Sequence, residues 1–177
     1  MTHNRLKLAC YLTIQSAQRG RADRRLRRLG RQSLPHGGKN VKGRKRHVLV
    51  DTTGLILMVV VTAANISDRA GAKTLFARLK SHKRWLKRLF LIYTDGTYRG
   101  ETFVRWIDDT YDWILEAVLR VDNHKGFRVV PKRWVVERTF GWLHWCRRLS
   151  KDYERLPQTS ETFIYLAMIR IMIRRLA

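Results

Sequence analysis

A run of ten residues, 55–64 (LILMVVVTAA), constrains the fold more than any other stretch of this chain. It is rich in β-branched residues and shows no alternation of polar and apolar side chains, so residues 55–62 are predicted to form a strand buried on both faces. Another β-rich run, 47–51, precedes it, and the three residues between them, 52–54 (TTG), predict a hairpin. We therefore expect this hairpin to lie inside a sheet that is covered by helices.

The rest of the chain alternates between strand and helix patterns. The continuous apolar run LFLIYT predicts a strand that stops at Asp95, and a basic, aromatic-rich stretch later in the chain predicts a helix. This order predicts an α/β fold, a mixed sheet flanked by helices. The predicted strands are 7–15, 47–51, 55–62, 89–94 and 113–119, and the predicted helices are 68–81, 100–110, 131–156 and 160–175.

The charge points to a polyanionic partner. The chain has 37 Lys and Arg against 14 Asp and Glu, a net charge of +23, which is more than solubility requires and favours nucleic acid. The longest apolar run is about half the length of a membrane-spanning helix, so we expect no membrane partner. Two cysteines far apart indicate neither a disulfide framework nor a zinc site, and we expect a soluble, cytoplasmic protein.

The charge also suggests a domain boundary. Residues 1–50 contain 14 basic side chains and one acid, Asp23, and the arginine-dense run 19–31 is typical of a solvated arm. We therefore expect residues 1–41 to form a basic N-terminal arm, partly disordered, and residues 42–177 to form the folded domain.

Two carboxylates carry the predicted chemistry. Asp95 directly follows a strand and precedes Gly96, and Glu137 shares a helical stripe with cations such as Arg133. Taken alone, the first pattern is also typical of a turn and the second of a surface ion pair. Carboxylates brought together from separate elements repel one another unless a cation joins them, and oxygen ligands suit Mg²⁺ or Mn²⁺. Carboxylates that bind a metal, placed beside cations that bind DNA, are the arrangement that a nuclease needs.

Four ordered motifs resemble those of a known family: KGRKRHVLVDTTGLIL at 42–57, YTDGTYRG at 93–100, KRWVVERTFGWLHWCRRLSKDYERLP at 132–157 and TSETFIYLAMIRIMIRRLA at 159–177. They are similar to the DDE transposases of bacterial insertion sequences, in the group numbered four and five. The resemblance covers residues 41–177 and implies an RNase H-like fold. It also implies that Asp95 and Glu137 are the second and third catalytic carboxylates, which hold Mg²⁺ or Mn²⁺.

The N-terminal region departs from the family pattern. The family's first catalytic Asp lies on the first strand, where this chain has Thr13-Ile14-Gln15-Ser16 and no Asp. Asp23 lies among arginines, and Asp51 matches a family position that is not a metal ligand, so we expect Asp51 to cap the hairpin turn. The family's N-terminal DNA-binding part has no counterpart here either. A truncated or frame-damaged copy would explain both absences.

These observations predict a transposase domain that binds the element ends and target as double-stranded DNA, with strand cleavage and transfer as its reaction and reduced activity in this copy. The resemblance leaves a homodimer open, and composition alone equally allows a basic nucleic-acid-binding protein without catalysis. We expect Trp142 and Trp145 to pack rather than to stack on bases. The side chains expected to hold phosphates are Lys42, Arg44, Lys45, Arg46, Arg133, Arg138, Arg147, Arg148 and Lys151.

Overall fold

The computed structural model describes residues 8–18, 43–81, 89–118 and 131–176. They form a mixed five-stranded sheet with the strand order β3-β2-β1-β4-β5. Strand β2 runs antiparallel to both β1 and β3, whereas β4 runs parallel to both β1 and β5. The strands are β1 Leu8–Gln18, β2 Gly43–Asp51, β3 Ile56–Ala63, β4 Leu89–Thr94 and β5 Ile114–Ala117.

Four helices cover the two faces of the sheet. The helices α1 and α2 pack on one face, and α3 and α4 pack on the other. This is the α/β, RNase H-like arrangement that the sequence predicts. The helices are α1 Asp68–Lys80, α2 Glu101–Tyr111, α3 Pro131–His144 and α4 Pro157–Leu176, and none of the described helices is long and apolar enough to cross a bilayer.

Strand β1 is the centre of the sheet. It pairs with β2 through nine residues and with β4 on its other side, so the folded unit includes residues 8–18, which we had assigned to the N-terminal arm. The arginine-dense run 19–31 lies outside the described residues. The folded domain therefore begins before the boundary at residue 41 that the charge distribution suggested.

Strand β3 confirms the inference drawn from its lack of alternation. Val59 and Val61 contact the core under α3 and α4, and Met58 and Val60 contact the core under α1 and α2. Because both faces carry helices, the four consecutive residues 58–61 are all buried, and no polar alternation is needed there.

Strand β3 lies at one edge of the sheet and therefore has outward-facing backbone groups, two of which bind side chains of α4. Tyr165 Oη accepts a hydrogen bond from the backbone N–H of Val59 at 3.0 Å, and Glu161 Oε1 accepts one from Val61 at 2.8 Å. The other Glu161 oxygen pairs with Arg78 of α1 at 2.8 Å. Side chains from α4 thus take the place that another strand would fill.

The helix predicted over 131–156 is shorter in the structure. Helix α3 ends at His144, a single 3₁₀ turn follows at Arg147–Leu149, and the chain then turns back to the sheet. Buried contacts explain this ending: Leu149 is in the core, and Arg46 of β2 donates to its carbonyl at 2.8 Å. Arg148 therefore does not lie on the Glu137 stripe of α3.

Candidate active site

Asp95 lies at the carboxyl end of β4, directly after the last residue of the strand. Its Oδ1 accepts a hydrogen bond from the backbone N–H of Thr97 at 2.9 Å, and it caps the short 3₁₀ turn Gly96–Tyr98. The turn expected from the Asp-Gly pair is therefore present. It leaves Asp95 half-buried at the sheet edge, facing a cavity.

Glu137 reaches the same cavity from the second turn of α3. Its side chain is exposed, and it makes no hydrogen bond or ion pair with another residue of the described ranges. The surface ion pair that we considered for Glu137 is therefore not seen within those ranges. Its carboxylate is free to accept a ligand.

The β2–β3 turn fixes the part of α3 that follows Glu137. Arg138 donates to the carbonyl of Thr53 at 2.8 Å, and Thr139 donates to the carbonyl of Gly54 at 2.7 Å. Gly54 has a φ of 85°, and a Cβ there would lie 2.9 Å from the Thr139 hydroxyl. Both the backbone conformation and this close contact exclude a residue with a side chain. Two consecutive residues of the helix are thus attached to the hairpin.

Thr13 of strand β1 lines the same cavity as Asp95 and Glu137. In strand β1, Tyr11 and Thr13 face α3 and α4, whereas Leu12 and Ile14 pack in the opposite core. Tyr11 is in register with Tyr93 of β4, so continuing the parallel ladder places Thr13 beside Asp95. Within the segment 13–16, where the resemblance places the missing Asp, the alternation of the strand turns Thr13 to the side of α3 and α4 and Ile14 to the opposite core.

These groups line one cavity of about 230 Å³. Its wall includes Thr13 of β1, Thr94 and Asp95 of β4 and Glu137 of α3, with Tyr11 and Tyr93 stacked at a centroid distance of 5.1 Å. The hydroxyl of Thr94 is buried and has no hydrogen-bond partner among the described residues. The stacking of Tyr11 on Tyr93 was not predicted. The only indication of it in the sequence is that each tyrosine lies two residues before Thr13 or Asp95 and so faces the same side of its strand.

The residues present fit one divalent ion better than two. Asp95 and Glu137 supply hard oxygen ligands, whereas Thr13 adds a neutral hydroxyl that cannot offset the repulsion between two ions. Within the described ranges, no three His, Cys, Asp or Glu side chains gather closely enough to hold a metal ion. A single ion held by two carboxylates needs water or substrate oxygens for its remaining positions.

Asp51 caps the β2–β3 turn, as the sequence predicted. Its Oδ1 accepts hydrogen bonds from the backbone N–H groups of Thr53 at 2.8 Å and Leu55 at 2.9 Å, and from the Thr53 hydroxyl at 2.7 Å. This oxygen is fully used by the turn. The other acid that we considered, Asp23, lies outside the described residues.

The basic residues of β2 were predicted to hold phosphates, and their burial contradicts this prediction. Arg44, Lys45 and Arg46 are 2% to 3% exposed, and a side chain that is buried in the protein does not reach a phosphate backbone. Their positive charge is used inside the fold instead. Lys42, which was predicted with them, lies outside the described residues.

Each of these three cations has partners within the protein. Arg44 pairs with Asp152 at 3.1 Å and donates to the carbonyl of Arg155 at 2.7 Å, and Lys45 pairs with Asp68 at 2.7 Å. Arg46 donates to Leu149, while its Nε and second terminal nitrogen have no partner among the described residues. Burial lowers the pKa of Arg46, and the nearby carboxylate of Asp152 opposes that shift.

The structural role of Asp152 was not predicted from the sequence. It is one acid in a basic stretch, more than 100 residues from Arg44, and neither composition nor periodicity relates the two positions. Its carboxylate joins the segment after α3 to β2 and lies beside both Arg44 and Arg46. We name Arg44, Arg46 and Asp152 the buried charge cluster.

Arg138 is held between two indole rings. Its guanidinium carbon lies 4.8 Å from the ring centroid of Trp134 and 5.0 Å from that of Trp142, in addition to its bond to Thr53. The side chain is half-buried and therefore holds α3 and the turn together beside Glu137. The side chain of Arg133 is outside what the structure describes.

The cations after α3 are placed differently. Arg147, Arg148 and Lys151 are exposed. Arg148 pairs with Glu154 at 2.9 Å and lies over the ring of Phe163. This segment is where the predicted phosphate-binding side chains face solvent.

The two tryptophans that were expected to pack differ from each other. Trp142 is half-buried between Arg138 and Arg175, whose guanidinium carbons lie 5.0 and 4.4 Å from its ring, so packing is confirmed for this residue. Trp145 is 91% exposed, and the expectation of packing is wrong there.

The chain matches known proteins over most of its length. A family model described as "Transposase DDE domain" matches residues 21–172. A relative from Burkholderia cepacia, named "Putative transposase for insertion sequence element IS402", is 32% identical over 130 residues, which are 70% of this chain and 60% of that protein. The chain thus spans less than two thirds of the length of this relative. The fold, the placement of Asp95 and Glu137 and this family match lead to one conclusion: the chain belongs to the family of transposase DDE domains.

Proposed function

We propose that this chain is the DNA-binding catalytic domain of an insertion-sequence transposase, with Asp95 and Glu137 as its metal ligands. The observation that carries the proposal is that both carboxylates, from a strand end and a helix, line one cavity. We further propose that it acts on double-stranded DNA, both element ends and target, in the bacterial cytoplasm. Mg²⁺ or Mn²⁺ is the metal that these oxygen ligands suit.

The chemistry assigned to the site is phosphodiester cleavage and strand transfer. A bound divalent ion would activate a water or a 3′-hydroxyl and stabilise the leaving oxygen. The protein's own part is to hold Asp95 on the sheet and Glu137 on a helix that Arg138 and Thr139 attach to the hairpin. Such fixed positions keep the ligand geometry independent of whether DNA is bound.

Thr13 is the reason for expecting weak catalysis from this chain. A hydroxyl in place of a carboxylate removes one negative charge from the cavity, so a second ion lacks a ligand to bridge it. We expect DNA binding with little or no cleavage. The alternative is a basic protein that binds DNA without any catalysis, and the nicking test described next also addresses it.

The first test is metal binding followed by nicking of a labelled duplex. Thr13→Asp should bind Mn²⁺ at least tenfold more tightly than the unchanged chain in a calorimetric titration, and it should gain nicking activity. Thr74→Asp adds the same charge on an exposed position of α1 and should change neither. Glu137→Gln in the Thr13→Asp background should remove both gains, and unaltered Mn²⁺ affinity in Thr13→Asp would refute the site.

Phosphate contacts are proposed for Arg147, Arg148 and Lys151, with Lys42 and Arg133 as further candidates. Changing Arg147 and Lys151 to Gln should lower the slope of log affinity against log salt by about two, since each phosphate contact contributes about one. Arg105→Gln on the exposed side of α2 is the matched control and should leave the slope unchanged. Equal slopes for all three proteins would contradict this assignment.

Trp145 is proposed to contact an unpaired base. An indole that is 91% exposed beside Arg147 offers a stacking surface next to a phosphate contact, and such stacking contributes about 1–3 kcal/mol per base. Trp145→Ala should weaken binding to a duplex with a single-stranded tail more than binding to a blunt duplex. An equal loss on both would argue against stacking.

A further inference from the structure

Two exposed arginines, Arg69 and Arg99, lie against each other beside the turn that Asp95 caps. Arg69 is in the first turn of α1, and Arg99 directly follows the short 3₁₀ turn Gly96–Tyr98. A guanidinium N–H of Arg69 donates to the backbone carbonyl of Arg99. The side chain of Arg99 folds back over the turn, since a Cβ at Gly96 would lie 4.0 Å from its Nε. We name Arg69 and Arg99 the arginine pair.

The backbone at Gly100 is shaped to admit this contact. Gly100 has a φ of 147°, a conformation that residues with a side chain rarely adopt, and a Cβ there would lie 2.9 Å from a terminal nitrogen of Arg69. An added methyl group would therefore displace the end of Arg69 from the carbonyl of Arg99. The arginine pair thus depends on a glycine that leaves room for it.

Neither guanidinium of the arginine pair has a carboxylate partner among the described residues. The acids next to them in the chain have other partners: Asp68 pairs with Lys45 at 2.7 Å, and Glu101 pairs with Arg105. Asp95 accepts from the turn and faces the cavity. Two like charges are therefore held together with no acid between them, and such charges repel each other unless an anion joins them.

The chemistry of the arginine pair suits a phosphate. A guanidinium presents its N–H donors in a planar fork that matches phosphate oxygens, and the pair uses only one of its side-chain donors in the part of the chain that the structure describes. A carboxylate has similar oxygens, but the net charge of +23 favours a polyanion. Both the local and the overall charge therefore favour the DNA backbone as the ligand.

We propose that the arginine pair binds one phosphate of the DNA strand that enters the cavity, next to the phosphate at Asp95 and Glu137. Arg69 is on α1, which packs on one face of the sheet, whereas Glu137 is on α3, which packs on the other. DNA at this edge of the sheet is then held from both faces. The proposal rests on the proposed function, because it takes DNA as the ligand.

Salt titrations of the affinity for a short duplex test the arginine pair. Changing both Arg69 and Arg99 to Gln should lower the slope of log affinity against log salt by about one, because the pair binds one phosphate. The loss of affinity in this double variant should be smaller than the sum of the two single losses, since all three variants lose the same contact. Changing Arg105 and Arg170 to Gln removes two charges from exposed positions of α2 and α4 and should leave the slope unchanged.

Gly100→Ala tests the arrangement without changing any charge. Its methyl group should displace Arg69 and lower the slope by about one, as in the double variant. Gly96→Ala is the matched control, because a Cβ there meets only Arg99, at the ordinary contact distance of 4.0 Å, and it should keep the slope. Because the backbone at Gly100 disfavours alanine, thermal unfolding should first show that this variant is folded, and the exposed arginine variants provide the same test if it is not.

The outcomes separate this proposal from the proposed function. An unchanged chain that binds DNA with a strong salt dependence, together with a double arginine variant of the same slope, would overturn the arginine pair and leave DNA binding intact. Strictly additive losses in the two single variants would overturn the shared phosphate. An unchanged chain that binds no duplex at low salt would overturn the proposed function and this proposal together.

Discussion

Removing the carboxylate of Asp152 should destabilise the domain more than any surface charge change. In the buried charge cluster, the side chains of Arg44 and Asp152 are 3% and 0% exposed and lie 3.1 Å apart. Arg46 already has two guanidinium nitrogens without a partner among the described residues. Asp152→Asn therefore leaves two cations in the core with no compensating negative charge.

The magnitude follows from this burial. Breaking a buried ion pair by removing one partner costs about 3–5 kcal/mol, out of a total stability of about 5–15 kcal/mol for a domain. Asparagine keeps the shape, but it cannot accept from both Arg44 and the backbone N–H of Glu154, as Asp152 does. We expect a loss within that range, mostly from the uncompensated charge.

Urea unfolding measures the effect. With a slope of about 2 kcal/mol per molar urea, the midpoint of Asp152→Asn should fall by about 2 M. Glu101→Gln removes the carboxylate of an exposed pair with Arg105 and should cost less than about 1 kcal/mol. A loss below about 1 kcal/mol for Asp152→Asn would refute the reasoning that the basic motif is a structural cluster.

Three further outcomes are expected. DNA binding by the unchanged chain should weaken with salt with a log–log slope of about −5, as expected for about six phosphate contacts, and a slope near zero in a salt titration would contradict the electrostatic account. Burial lowers the pKa of His47 from 6.5 to about 4. As the pH falls, the imidazole is therefore protonated in the unfolded chain before it is protonated in the folded protein. The stability is complete above about pH 6.5 and falls by about 3 kcal/mol as pH drops to about 4; chemical unfolding at several pH values should show this slope, and His47→Gln should lack it. Gly71→Ala should cost about 1–3 kcal/mol despite the better helix propensity of alanine, because its Cβ would lie 2.1 Å from the His47 ring, and a stabilised variant in thermal unfolding would contradict this packing.

The strands were predictable because their patterns are local. The run of apolar residues in β3 and the strand ending at Asp95 follow from burial on both faces, and the structure gives β4 the predicted bounds, Leu89–Thr94. From the sequence, the place of the family's first Asp could be limited only to the segment 13–16. The choice between Thr13 and Ile14 needed the register of β1 against its neighbours, which decides the face of every residue.

The basic motif could not be read correctly from composition. A count of charges does not distinguish a solvated cation from a buried one, and the partner of Arg44 lies 108 residues away in sequence. The end of α3 was also not predicted, because it too depends on contacts between residues that are distant in sequence. The helical pattern continues past His144, but the buried contacts of Leu149 and Asp152 turn the chain back to the sheet, and tertiary contacts override local propensity.

The two hydrogen bonds that α4 accepts from β3 have a consequence for folding. Until Glu161 and Tyr165 have been synthesised, the N–H groups of Val61 and Val59 are open on an apolar strand, and such an edge is a template for pairing between chains. Because α4 is the last of the described elements to leave the ribosome, aggregation competes with folding until that moment. The docking of α4 therefore protects this strand edge from aggregation, and the yield of native protein depends on how quickly α4 docks.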